Sequence, residues 1–205
     1  MKKLLISLIC LLTCFMLTAC KHLENKNEDT KQNEVIQQEV IQQKMIIQQS
    51  QLSDESNILL NLFDEDIHLY DLSIDETAKS YKISLWGCID NDWNELTYTS
   101  DNIEKGRYRL GIRVCDNKYN LIIVKNNEIR DKVSSEFQEI QFGESLGTYS
   151  YQLENPMEIE LNQEITLVLK VSFDSTQFEV PDNFREAKCK SGFAVVFTLS
   201  DKAVE

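Results

Sequence analysis

Apolar and polar residues alternate at a period of two along most of this chain, but only after Asp66. Successive side chains of a strand point to opposite faces, so this alternation predicts half-buried strands. Ile67-His68-Leu69-Tyr70 opens the first. In the next, Ile83, Leu85, Gly87 and Ile89 share one face, while Lys82, Ser84, Trp86 and Cys88 share the other. Asp90-Asn91-Asp92 has turn chemistry, and Trp93 to Thr99 returns as the partner strand. With Asn91-Asp92 as a two-residue turn, Leu85 lies opposite Tyr98 and Gly87 opposite Leu96. Tyr108, Leu110, Ile112 and Val114 then alternate with Arg107, Arg109, Gly111 and Arg113. Leu121 and Ile123, the group Tyr149, Tyr151 and Leu153, and the pair Ile159 and Leu161 continue the theme. Ile165, Leu167, Leu169, Val171 and Phe173 read as one uninterrupted one-sided strand, and Phe193, Val195, Phe197 and Leu199 as the last. About eight short strands with little helix predict a mainly β fold, a single antiparallel β-sandwich of immunoglobulin-like look over 67–205.

Upstream the pattern changes. Ser53 followed by Asp54 and Glu55 reads as a helix cap with acids in the first turn. Ile58, Leu59, Leu62 and Phe63 fall at helical spacing, which predicts a short helix over 54–64, within 51–66, packed on the sandwich. Residues 20–50 carry a repeat: Glu34-Val35-Ile36-Gln37-Gln38, Glu39-Val40-Ile41-Gln42-Gln43, then Lys44-Met45-Ile46-Ile47-Gln48-Gln49. On a helix a five-residue period turns the apolar pair by about 140° per copy and forms no stripe. On a strand, adjacent apolar residues point to opposite faces. The expectation is therefore a polar, partly helical tether reaching ~30 Å as a flexible chain.

The first 20 residues have a third pattern. Lys2 and Lys3 precede an apolar run from Leu4 to Leu17, and small residues follow. That order is a secretory signal, and the run falls short of the roughly 20 apolar residues a membrane span needs. It ends Leu17-Thr18-Ala19-Cys20, which resembles the lipobox of bacterial lipoproteins. The resemblance implies a signal peptide over 1–19, cleavage between Ala19 and Cys20, and a diacylglyceryl group on the Cys20 thiol. Two acyl chains hold a protein stably on a bilayer, where one does not. The implied location is the outer face of the cell membrane. The strand Lys82-Ile83-Ser84-Leu85-Trp86, Trp93 after a polar turn, Glu164-Ile165-Thr166-Leu167-Val168-Leu169 and the closing Phe193-to-Ser200 strand also resemble small clostridial-type lipoproteins, which bring no activity with them.

Charge and cysteines narrow the partners. The chain has a formal net charge of -13. Without Lys2 and Lys3, 19 basic residues stand against 34 acidic ones. Such a balance argues against nucleic acid, which needs clustered Lys and Arg. Beyond the signal and Cys20, Cys88, Cys115 and Cys189 remain, an odd number for an exported chain. A surface disulfide between Cys88 and Cys115 requires their strands to be neighbours.

Catalytic chemistry has little to build on. Only His22 and His68 are present, with no Gly-x-Ser-x-Gly elbow and no phosphate-binding glycine loop. Asp90-x-Asp92-x-Asn94 starts like a calcium loop, but Glu95 stands where a glycine is required. Neither a metal nor another cofactor is expected, and the chain does not read as an enzyme. Trp86 and Trp93, with Arg107, Arg109 and Arg113, form the candidate binding patch if the hairpin and the arginine strand are neighbours. Aromatic rings with polar rims suit a glycan; arginines packed over the rings would instead be a structural arrangement. The reading is a membrane-anchored binding or interaction module for a protein or glycan ligand. Its alternatives are an accessory lipoprotein of an envelope complex, docked through a strand edge, and an unrecognised hydrolase.

Overall fold

A computed structural model describes residues 44–205, apart from 63–65, 116, 138–139, 141, 143–144, 176–178, 180 and 182 and the side chain of residue 61. The signal segment 1–19, the Ala19–Cys20 junction, the first two copies of the repeat and the last two residues of the expected helix, Phe63 and Asp64, lie outside the described residues.

Alternation sets the inward faces. Tyr70, Leu72 and Ile74 of β2 (Ile67–Ile74) are buried, as are Tyr108, Leu110 and Ile112 of β5 (Gly106–Cys115) and Tyr119, Leu121 and Ile123 of β6 (Lys118–Lys125). With β1 (Ile46–Gln49), β7 (Glu128–Glu136) and β9 (Met157–Glu158) they make a six-stranded antiparallel sheet of order β7-β6-β5-β2-β1-β9. The second sheet contains β3 (Ser80–Ile89), β4 (Asp92–Asn102), β8 (Gly147–Gln152), β10 (Glu164–Phe173) and β11 (Ser191–Ser200), in the order β4-β3-β11-β10-β8. Tyr81, Ile83 and Leu85 of β3 and Val195, Phe197 and Leu199 of β11 meet the first sheet in one core. The fold is mainly β, two antiparallel sheets packed as a β-sandwich.

The tether expectation fails at its last copy. Met45 and Ile47 are buried in the core, and β1 pairs with β2 on one side and β9 on the other. The copy Lys44–Gln49 has six residues instead of five. The extra residue places Met45 and Ile47 two apart, so both face inward while Ile46 faces out. The sandwich therefore begins before residue 50, not at 67.

Helix α1 (Asp54–Leu62) is capped as expected, with the Ser56 N–H donating to Ser53 Oγ at 3.2 Å. It does not pack as expected: Ile58, Leu59 and Leu62 are exposed. Its Leu60 side lines a shallow cavity beside Ile67 and Leu69, where β1 has ended.

The β3–β4 hairpin turns one residue earlier than the sequence suggests. Ile89 pairs with Asp92, leaving Asp90-Asn91 as the turn, with φ of 51° and 70°. Both values fit a mirror-image two-residue turn, whose twist matches that of the strands it joins. The turn alone places Gly87 opposite Asn94; a bulge between Leu85 and Trp86, with Leu96 the extra residue, then recovers one position, so that Leu85 faces Thr97 and Ser84 faces Tyr98.

A second bulge corrects the reading of β10. Thr166 pairs with Val196 and Val168 with Val195, so Leu167 is the extra residue. A bulge exchanges the faces of everything beyond it. Ile165, Leu167 and Val168 belong to the main core, whereas Leu169 and Val171 join a second cluster on the outer face of the five-stranded sheet. Phe184, Cys189, Cys88, Ala194 and Val196 complete that cluster, and Trp86 and Trp93 pack against it.

Candidate functional site

The sequence-predicted patch divides between the two sheets. Trp86 lies on β3 and Trp93 on β4, in the five-stranded sheet, whereas Arg107, Arg109 and Arg113 lie on β5, in the six-stranded sheet. The arginine positions alternate with the inward Tyr108, Leu110 and Ile112, so they face away from the core. The tryptophans belong to the outer face of the other sheet. The five residues thus lie on opposite sides of the sandwich and form no common surface.

The tryptophans are already engaged. A one-turn 3-10 helix, Phe184–Glu186, sits against them. The Phe184 ring meets Trp86 at 5.9 Å and Trp93 at 4.9 Å, both edge-on. The guanidinium of Arg185 stacks 4.0 Å from the Trp86 centroid and donates to both oxygens of Glu164, at 2.8 and 3.1 Å. Trp93 Nε1 donates to the Ala187 carbonyl at 3.3 Å. A cation over the ring is the structural arrangement considered from the sequence, but its arginine comes from residue 185, not from β5. Glu95, opposite Trp86, pairs with Lys82 at 2.7 Å.

A disulfide joins this segment to β3, between Cys88 and Cys189. The Cys88–Cys115 pairing is excluded because β3 and β5 belong to different sheets, and Cys115 is a free, half-buried thiol. Cys189 sits in a stretch without periodicity, so its partner had no sequence signal beyond the odd count.

The outer face of the six-stranded sheet is built differently. Ile67, Leu69, Gly111, Ile122 and Val124 floor an apolar groove of about 340 Å³, with Arg109, Arg113, Asn120 and Lys132 along its walls. Leu69, Gly111, Ile122 and Lys132 form one cross-strand row. A Cβ at Gly111 would come within 3.2 Å of Leu69 Cδ2, so Leu69 uses the room that the missing side chain leaves. Beside the groove lies a more polar cavity of about 570 Å³, lined by Ile46, Gln48, Asp71, Arg107, Asn126 and Asn127 among others.

Arg109 separates the two hollows and is held by Asp71, with Nε to Oδ1 at 2.7 Å and Nη2 to Oδ2 at 3.1 Å. Burial works to raise the Asp71 carboxyl, but the Arg109 hydrogen bonds and charge hold it below the usual range. Two parallel N–H···O bonds also fix the guanidinium plane. Ile122, Asn120 and Lys132 carry no sequence signal for this site, because β6 and β7 become neighbours of the arginines only through sheet pairing.

Among the described residues, no cluster of three or more His, Cys, Asp or Glu could hold a metal, and no helix is long and apolar enough to cross a membrane. No protein-family model, curated protein or solved structure matches this chain.

Proposed function

We propose that this chain is a lipid-anchored binding module displayed outside the cell, and that the arginine-walled face of the six-stranded sheet takes a protein partner. The observation that carries the reading is the groove of about 340 Å³ set between Arg109, Arg113 and Lys132. Its apolar floor suits the desolvated centre of an interface, and arginine is enriched at such centres. With the Arg109 charge offset by Asp71, the walls offer mainly directed N–H donors, which suit a partner bringing an apolar centre rimmed by hydrogen-bond acceptors, carboxylates among them. The other sheet offers no comparable opening at Trp86 and Trp93, because Phe184 and Arg185 occupy their faces.

The anchor rests on Leu17-Thr18-Ala19-Cys20 and the apolar run before it. The likeness to immunoglobulin domains belongs to the same proposal and rests on the two facing antiparallel sheets; the Cys88–Cys189 bond lies on an outer face and does not join the sheets. The accessory-subunit reading has one observation of its own. The eleven-residue β4 is an outermost strand and leaves Leu96 and Tyr98 exposed, which suits addition of a partner strand.

The test is a photo-crosslinking residue at Asn120, introduced into the full chain in its own cells. An adduct with a single acidic protein, lost on Arg109→Glu with Arg113→Glu, supports the face. Adducts only from a probe at Tyr98 move the interface to the β4 edge, and no adduct from either position removes the interaction reading. Cys20→Ser should release the chain from the membrane fraction; retention there would remove the anchor.

A further inference from the structure

We infer that the mouth between the two sheets, at the His68–Gln152 end, is a binding site for a neutral sugar ring. This inference is independent of the arginine-walled face, which lies on the outside of one sheet.

The inward positions at this end are polar. His68 lies two residues before Tyr70 on the inward side of β2. From the opposing sheet, Gln152 pairs with the inward Val168, and Ser150 pairs with Lys170 two residues further along β10. Lys170 is also opposite Phe193 of the core. The Leu167 bulge makes this arrangement, because without it Lys170 would face outward. His68 Nδ1 and Gln152 Oε1 meet across the gap at 3.1 Å, linking the sheets. Lys170 Nζ lies 3.8 Å from Asp66 Oδ2.

These side chains border a cavity of about 640 Å³, whose accessible apolar lining is Tyr151, Pro156 and Met157, backed by the buried Leu153, Val168 and Phe193. Binding pockets for small molecules span roughly 300–1,000 Å³, mostly apolar with a few placed polar groups. Ser150 and Asp66 are exposed and so keep their hydrogen-bonding capacity for an occupant, whereas the half-buried His68 and Gln152 fix one another across the mouth. Five polar side chains from β2, β8, β10 and the entry to β2 therefore converge on one cavity of ligand size.

The chemistry selects a neutral, hydroxyl-rich occupant. Lys170 and Asp66 carry opposite charges and offset one another. Burial pushes His68 below its ordinary pKa, so the imidazole is neutral near pH 7. With Nδ1–H donating to Gln152 Oε1, the ring presents Nε2 as an acceptor. The Gln152 amide N–H groups and Lys170 donate, Asp66 accepts, and the Ser150 hydroxyl does both. Sugar hydroxyls likewise both donate and accept, and the C–H face of a pyranose suits the apolar lining of Tyr151, Pro156 and Met157.

The experiment uses the full chain, labelled with 15N and 13C and kept in detergent. It is titrated with methyl glucoside, methyl mannoside and N-acetylglucosamine, then separately with glycine and serine. Binding at this site shifts the Gln152 side-chain amide and the Phe193 backbone resonance, saturating in the millimolar range with at least one sugar. Gln152→Leu and, separately, Lys170→Met should each weaken that sugar about tenfold or more, a loss of about 1.4 kcal/mol, while each variant still unfolds cooperatively. No shift with any of the three sugars overturns the inference. So does a response confined to glycine and serine, which would mean that Asp66 and Lys170 select a zwitterion. Shifts that persist in both variants would place the sugar elsewhere and overturn it equally.

Discussion

The hydroxyl of Tyr70 donates a 2.8 Å hydrogen bond to the carbonyl of Leu167, joining the middle of β2 to the bulge of β10 through the core. Leu167 O also accepts from the Leu153 N–H at 2.9 Å, so the bulge is held from both sides. Tyr70→Phe removes one of these bonds and leaves the carbonyl with a partner. The expected cost is about 1 kcal/mol, near the net worth of a single hydrogen bond. Urea unfolding reads it directly. A loss several times larger would show that the bulge register depends on the hydroxyl alone.

What could be read from the sequence was local, and what could not depended on distant pairing. Alternation around Tyr108, Leu110 and Ile112 gave the correct inward face, because a strand half-buried in a sandwich has few ways to orient itself. The bulge at Leu167 left no mark: Ile165, Leu167, Leu169 and Val171 satisfy a clean alternation, and only pairing with β11 divides them between two clusters. The expectation of one patch holding Trp86 and Arg109 fails for a similar reason. Their strands read alike, and the sheet to which each belongs is set by long-range contacts. The inward position of Lys170 was hidden by the same bulge. The burial of Ile47 does have a local mark, the sixth residue of its repeat copy.

Cys88 and Cys189 close a loop of 101 residues in sequence and pin the Phe184–Cys189 segment over β3. Restricting so long a loop in the unfolded chain contributes about 2–4 kcal/mol in typical cases. Cys88→Ala with Cys189→Ala should lower the urea midpoint accordingly and shift tryptophan emission to the red as Trp86 and Trp93 gain water. Alkylation mapping should label Cys115 without reductant, and Cys88 and Cys189 only after reduction. Equal stability of the oxidised and reduced protein would remove this role for the bond.

The buried Ile47 makes β1 part of the fold, so truncation should act abruptly. A chain beginning at Gln42 keeps Met45 and Ile47 and should unfold as cooperatively as the parent. One beginning at Leu52 loses a strand between β2 and β9 and should not. Ile47→Ala within the full chain should cost about 2–5 kcal/mol, the range for large-to-small core changes. Cooperative unfolding of the shorter chain at the parent's midpoint would return β1 to the status of a tether.

Tyr119 is fully buried, and its hydroxyl has no hydrogen-bond partner among the described residues. A buried, unsatisfied polar group costs about 1–3 kcal/mol. Tyr119→Phe removes the hydroxyl and keeps the ring, so the variant should match the parent or exceed it by about 1 kcal/mol. Thermal unfolding supplies the comparison. A clear loss of stability would mean that the hydroxyl is satisfied, for instance by a buried water.

The pH dependence of stability separates His68 from the carboxylates. Burial lowers the His68 pKa; its bond to Gln152 and the charge of Asp66 push the other way without reversing it, and Lys170 adds to the lowering. The unfolded chain therefore takes up the proton first as pH falls. Stability linked to His68 is full above about pH 6.5, the ordinary histidine value, and declines as pH drops through that value toward the lower folded one. Asp71, Asp75 and Glu95 are held below their ordinary values despite burial, by Arg109, by Thr77 and Ala78, and by Lys82 with Ser84. Their stability is present above roughly pH 4 and is lost only at lower pH. Two steps should therefore appear in urea midpoints measured from pH 8 to pH 3. His68→Gln should erase the upper step and leave the lower one in place. An upper step that persists in the variant would assign it to a group other than His68.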